Sequence, residues 1–445
     1  MEPEELLSIA EGALKRLRLD EAECYVSWRL DTEAKLENGT LSSSSREVAG
    51  AGIRGVLGKR VGFASVSSLD QIDRAAERCS EITRKIPENK NFLHLPEPAK
   101  GGRFDVWDET VASYNDHAKA CMEMSDKGKG RDVVYTFSSV ITSVRAYAVA
   151  NTRGVSACER GTEISYYVLC KAKSGDEERI AHDQRESRKL VNPPDGASVA
   201  QGARDLLGGR ALERQEHIVI FDPLTLGVED LGLISMLNYG ISAAEVQEHR
   251  SALGGRIGDR IASDLTIYDD SFLDNGIGSR GYDDEGVPTA KKPLIERGVL
   301  KNYLYDSYSA NREGTETSGN GIRKGLLGGR DSFDLLPEPR PTNYVIKPTC
   351  GRDVNGLVSE VDSGILVRYQ LMGVLHANNI SGDFSVVAPS AFLISRGEIS
   401  HPLKPVTIAG NFYSMLKSTK AVGNDPHLCG LGLIPSIVTD GLTCR

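Results

Sequence analysis

The chain has 445 residues, enough to bury a sizeable core in two or three domains. Hydrophobic residues make up 40% and charged residues 26%, an ordinary globular balance that excludes general disorder. The net charge of -9 comes without a basic arm or arginine-rich stripe, which disfavours nucleic acid, because phosphate attraction needs a concentrated positive face.

The chain starts Met1-Glu2-Pro3-Glu4-Glu5, acidic where a secretory signal carries positive charge, and no apolar run is long enough to cross a bilayer. A cytoplasmic protein with no membrane contact is expected. Its eight cysteines (24, 79, 121, 158, 170, 350, 429, 444) are scattered and read as reduced thiols.

Leu6, Leu7, Ile9, Ala10, Ala13, Leu14 and Leu17 recur at helical spacing and predict an opening amphipathic helix. Cys24 to Trp28 reads as a strand and Asn38-Gly39 as a hairpin turn. Ser44 to Ser65 predicts two strands turning at Gly58-Lys59. Ser67 or Ser68 then caps a helix whose apolar face is Ile72, Ala75, Ala76, Cys79, Ile82 and Ile86. A proline-bearing connector runs from 87 to about 105. Val106 to Met124 is expected as helix, Val133 to Ala150 and Val155 to Ala172 as long strands, and Val199 to Leu207 as a short helix.

From Ile218 the texture changes to short strands between glycine turns. Leu294-Ile295-Glu296-Arg297-Gly298-Val299-Leu300 and Leu393-Ile394-Ser395-Arg396-Gly397-Glu398-Ile399 predict two hairpins of one form. Pro337 to Pro341 reads as an extended spacer and Ala409 to Lys420 as the last helix. The class is α+β: an N-terminal α/β domain with an antiparallel sheet over residues 1–210, and a C-terminal β-rich domain, a curved or barrel-like sheet, over 211–445.

Gly50-Ala51-Gly52-Ile53-Arg54-Gly55 spells the dinucleotide pattern G-x-G-x-x-G, but a strand and turn follow where a helix must receive the pyrophosphate. Glycine-dense strands explain it better. Acidic residues crowd Tyr268-Asp269-Asp270, Asp274-Asn275 and Asp283-Asp284-Glu285-Gly286. Such clusters suit hard cations, and equally the turns that Asp and Asn form beside Gly; turns are the preferred reading. A zinc peptidase helix needs paired histidines and a glutamate. Here no histidine is followed by Glu, and no two lie three or four residues apart. Glu245 and His249 have the spacing of a shared helix face.

Asp283 to Thr289, Leu294 to Leu304, Gly364 to Val367, Ser381 to Ser385, Val406 to Asn411 and Ala421 to Asp425, with Gly50 to Ser65, together resemble the TldD/PmbA family in the expected order. That resemblance implies an N-terminal α/β domain and a C-terminal β-rich domain carrying the dimer and the substrate channel. It also implies a His-Glu-x-x-x-His helix in TldD-type members, just before the segment matching Ser251 to Gly258. Here that stretch reads Leu237 to Ala244 and holds no ligand. The expectation is therefore a noncatalytic TldE/PmbA-like subunit with no cofactor of its own. A TldD-type partner would supply zinc, and unfolded or short peptides would be the substrate. The alternative is a homodimeric peptide-binding or regulatory protein, the class of the family's older name, modulator of DNA gyrase. Gly382, Asp383, Gly423, Asn424 and Asp425 are candidate residues of the chamber wall, and also read as turns.

Overall fold

The computed structural model describes residues 1–102, 104–325 and 332–445. Arg103, in the predicted proline-bearing connector, lies outside them.

Six antiparallel strands build the N-terminal sheet: β1 (Glu21–Glu37), β2 (Thr40–Leu57), β3 (Arg60–Val66), β4 (Val133–Asn151), β5 (Ser156–Ser174) and β6 (Glu177–Ser187), in spatial order β3-β2-β1-β4-β5-β6. The sheet curls into a half-barrel. Asn38 (φ 46°) and Gly39 (φ 83°) supply the two left-handed residues that let β1 turn tightly into β2. Alternation then separates two faces. Cys24 and Val26 of β1, Ala51 and Ile53 of β2, and Ala146, Ala148 and Ala150 of β4 pack under α1 (Pro3–Leu14) and α2 (Ile72–Lys85). Tyr25, Tyr147, Val149 and Ala157 meet Phe333 on the other face.

The glycine motif is explained by these contacts. A Cβ at Gly50 would stand 2.6 Å from the Phe333 ring, and one at Gly52 would strike the Phe333 carbonyl. A Cβ at Gly55 would come 2.9 Å from Cys79 Sγ of α2. Close packing on both faces requires these glycines.

The C-terminal part is β-rich. Its larger sheet centres on β7 (Gln215–Phe221), which pairs in parallel with Ser363–Val367 and antiparallel with Ile437–Cys444, and extends on both sides. A second sheet includes Ile267–Asp269, Lys292–Glu296, Val299–Leu300 and Tyr344–Ile346. The two matched hairpins form as expected, with φ of 45° and 82° at Arg297-Gly298 and 52° and 76° at Arg396-Gly397. One apolar core joins both parts, since Val168 and Cys170 of β5 share it with Ile220 of β7, Leu366 and Ile394.

Several expected elements differ. Val106 to Met124 is not one helix: Val106 bridges to Gly161, Glu109–Ala112 is a single turn capped by Asp108, and the next helix is His117–Gly128. Asp108 also accepts from Leu190 N, which pins this stretch to tertiary structure in place of a continuous helix. Ala409 to Lys420 divides into the end of a strand (Val406–Asn411), a helix (Phe412–Lys417) capped by Asn411, and the start of another strand (Thr419–Val422). The short helix near Val199 to Leu207 runs over Gly196–Asp205. Ser68 makes no backbone cap; its hydroxyl turns to Asp70, and α2 starts at Ile72. The Pro337 to Pro341 spacer contributes a short strand, Glu338–Pro339, paired with Gly321–Ile322. Strand β6 was not anticipated, because its alternation is filled by charged residues. All eight cysteines are free. Among the described residues no helix is long and apolar enough to cross a membrane.

Candidate functional site: a cation-lined cleft between the two parts

The concave face of the half-barrel meets the C-terminal part around a cleft of about 260 Å³. Tyr25, Ser27 and Arg29 of β1, Val48 of β2, and Arg145 and Tyr147 of β4 form one wall. Their spacing of two residues along β1 and β4 is what puts them on one face. The opposite wall comes from Asn238 of a short helix and from C-terminal loops that carry Glu229, Arg280, Asp284, Arg323, Lys324 and Arg340.

Behind the cleft lies a buried ionic network that ties these walls together. Arg54 of β2 donates to Glu23 of β1 at 2.7 Å and to Glu285 at 2.7 Å. Arg323 donates to the other Glu23 oxygen at 2.6 Å, and its guanidinium carbon stands 4.9 Å from the centre of the Tyr25 ring. Glu285 also accepts from Ser307 N at 2.7 Å and from the Ser307 hydroxyl. The Asp283-Asp284-Glu285 cluster, expected as turn residues, is at least 98% buried at every position. It does turn, with Gly286 at φ 77°, but its carboxylates are internal hydrogen-bond acceptors. Asp283 takes bonds from Glu285 N, Val287 N and Gly321 N, and Asp284 takes them from Arg280 and Arg323 N. Burial, then the neighbouring Glu285 charge, holds the Asp283 carboxyl well above the usual range. The same two causes push Asp306 up to about 7. Composition cannot separate a buried carboxylate cluster from a solvated one. The signal was the match between Arg54 or Arg323 and the acids, and only the fold brings those partners together.

A second acidic group flanks the cleft. Glu186 of β6 is pushed up to about 7 by burial, with repulsion from Glu163 and Glu229 next. Lys324 pairs with Glu229. Tyr25 donates to Ser332 at 3.2 Å, and Ser332 to Ser27 at 3.2 Å, so a hydroxyl chain crosses the floor. No histidine or cysteine is among the described residues lining the cleft, whose carboxylates are Glu229, Asp230 and Asp284.

The described residues do not fit a zinc centre. No group of three or more His, Cys, Asp or Glu among the described residues is arranged to hold a metal. At the stretch the resemblance aligns with the metal-bearing helix, Leu237–Ile241 forms a short helix that buries Leu237 and Ile241, while Asn238 accepts from Tyr344 at 2.6 Å. Cys429 is buried with its Sγ toward the Pro223 carbonyl, and burial holds its thiol well above the ordinary range. Glu245 and His249 do not share a helix face: the helix ends at Gln247, His249 has φ 57°, and Glu245 pairs with Arg250 at 2.8 Å.

The five residues singled out in the sequence fall in two turns, and none lines the cleft. Gly382 (φ 87°) precedes an exposed Asp383, whose carboxylate accepts from Asn411 at 2.9 Å and Ser381 at 2.7 Å. Asp425 accepts from Val354 N at 3.1 Å and from Ser436 N at 3.0 Å and Oγ at 2.7 Å. Gly423 N donates to Ser436 O at 2.8 Å and Asn424 N to Arg352 O at 2.6 Å.

A half-barrel locked by buried charge onto a β-rich part, with an open polar cleft at the junction, defines a two-part α+β protein. Residues 215–445 match the family model of the PmbA/TldA metallopeptidase C-terminal domain, and residues 22–83 match that of PmbA/TldA metallopeptidase domain 1. The chain belongs to the TldD/PmbA family. An uncharacterized protein of Methanocaldococcus jannaschii is 28% identical over 407 residues, covering 88% of each chain. A metalloprotease TldD homolog of Buchnera aphidicola is 26% identical over 444 residues, covering 92% of this chain and 86% of that one. In fold, the chain is similar to the crystal structure of TldE from Thermococcus kodakarensis, with a TM-score of 0.84 at 24% identity over 98% of this chain and 99% of that one.

Proposed function

We propose that this chain is a noncatalytic TldE/PmbA-type subunit that pairs with a TldD-type protein to degrade unfolded or short peptides. One observation carries the reading. The family's fold is kept throughout, while the stretch that should hold the metal ligands is filled by Leu237, Asn238 and Ile241, which serve packing and a hydrogen bond to Tyr344. The partner would supply zinc and the attacking water, and this chain would complete a chamber that only an extended peptide can enter. The turns at Gly382-Asp383 and Gly423-Asn424-Asp425 belong to the wall of that chamber in this reading. Eight free thiols support a cytoplasmic setting.

The test is to mix the purified chain with a TldD-type protein and a short peptide. Cleavage by the mixture and by neither protein alone is expected. A partner that cuts equally fast by itself would sink the proposal.

The cleft also supports a second reading, a homodimeric peptide-binding or regulatory protein, because it offers many hydrogen-bond donors. Solution mass with and without the partner separates the two: a self-dimer that ignores the partner favours the second.

A further inference from the structure

Among the described residues lining the cleft, cationic side chains outnumber carboxylates six to three. Arg29 of β1 and Arg145 of β4 are direct cross-strand partners, so their side chains leave the same face of the sheet. Like charges directly opposite are unfavourable in a ladder unless something else answers them. Arg29 has Asp31 at 3.0 Å. The charges that attract Arg145 are Glu163 and Glu159. Across the cleft, Arg280 and Arg340 bind Asp284 and Glu338 through their outer nitrogens, yet each keeps a buried Nε with no partner. Buried donors are normally satisfied, so the unpartnered Nε atoms of Arg280 and Arg340, on residues that line the same space as Arg145, point to an acceptor there. Burial first, and the Arg280 cation as well, hold Arg145 below the ordinary guanidinium range despite the pull of Glu163.

We propose that this cleft receives the C-terminal carboxylate of a peptide, with Arg145 as its principal partner and Arg280 and Arg340 facing it. The planar fork of a guanidinium matches a carboxylate in a bidentate pair. Glu229, Asp230 and Asp284 also line the space, which suits a single negative charge and opposes a multiply charged phosphate. A volume of about 260 Å³ admits a terminal residue and excludes a folded chain. Val48 and Tyr147 offer apolar surface to its side chain. This inference rests on the peptide-handling reading above and gives it a direction: the chain end is held here, and the scissile bond lies further along toward the partner.

The experiment measures fluorescence anisotropy of a short peptide, labelled at its N-terminus, with the purified full chain. The free acid should bind tighter than the same peptide as its C-terminal amide, on the order of tenfold to a hundredfold, the value of a charge-assisted pair. Arg145→Gln and, separately, Arg340→Gln should bring acid binding toward the amide level while the melting temperature holds; the second variant decides the matter if the first does not fold. Equal binding of acid and amide, or no binding of either, overturns the proposal. So does displacement of the peptide by inorganic phosphate at lower concentration than by an N-acetyl amino acid, which would make this a phosphate site. None of these outcomes bears on whether mixing with a TldD-type partner yields cleavage, so the two readings fail separately.

Discussion

Arg323 Nη2 stands 2.6 Å from Glu23 Oε1, although the two residues are 300 apart in sequence, and both side chains are fully buried. Glu23 gives its second oxygen to Arg54, so a single carboxylate answers two cations, one from each part of the molecule. Glu23→Ala should therefore cost far more than its contacts suggest. Two buried guanidinium groups would each lose a partner, and breaking such a pair costs about 3–5 kcal/mol. Urea unfolding followed by circular dichroism checks this. A loss below about 1 kcal/mol would show that water or relaxation replaces the pair.

Gly52 and Gly39 separate two reasons for glycine. At Gly52 a Cβ would strike the Phe333 carbonyl, whereas Gly39 faces open space but has φ 83°. Gly52→Val should cost about 1–3 kcal/mol or more through overpacking. Gly39→Ala should cost about 1 kcal/mol from backbone strain alone. Neither variant should alter the chain's thermal response to a dinucleotide, because the motif lies in a strand. A dinucleotide-induced rise in wild-type melting temperature that Gly52→Val abolishes would contradict that.

His182 lies between Tyr167 (ring centroids 5.4 Å apart) and Tyr369 (6.1 Å), with neither ring nitrogen hydrogen-bonded. Burial pushes its imidazole down to about 4. The unfolded chain takes up a proton near pH 6.5 and the folded chain does not until near 4, so this contribution is whole above pH 6.5 and fades as pH falls. By pH 5 the loss reaches about 2 kcal/mol. Glu186 and Asp306, pushed up to about 7, act in the opposite sense, so the readout is the difference between wild type and His182→Phe. Melts at pH 7.5 and pH 5 should show the variant losing less on acidification. Parallel pH profiles would show that His182 is solvated or protonated in the fold.

Asp425 and Asp383 were singled out together by sequence, and the structure gives them unequal work. Asp425 holds Val354 N and both donors of Ser436, while Asp383 is exposed. Asp425→Ala should cost about 1–3 kcal/mol, and Asp383→Ala about 0.5 kcal/mol or less. Chemical denaturation of the two variants is sufficient, and a reversed order would mean that the segment at 382–383 carries the structural load.

Local chemistry made much of the fold legible. Asn38-Gly39, Gly58-Lys59 and the twin Arg-Gly hairpins announce their turns, because only a few residue pairs tolerate the required φ. The helix α2 shows its apolar face at clean 3.6-residue spacing. Strand β6 was hidden because Glu177, Glu178, Arg179, Asp183, Arg185 and Glu186 fill positions where a strand usually shows apolar residues. The cleft was hidden for a related reason. Arg145 reads as one more charge in a long strand until β1 brings Arg29 beside it. Asp283, Asp284 and Glu285 looked like turn formers because nothing local reveals that Arg54 and Arg323 close over them. A pair 231 residues apart has no sequence periodicity to betray it.

The network around Glu23 also bears on dissection of the chain. Its cations and anions are divided between the halves, with Glu23 and Arg54 in one and Glu285 and Arg323 in the other. Either half expressed alone would carry buried ions without their partners, so the cost of separating the halves falls on both.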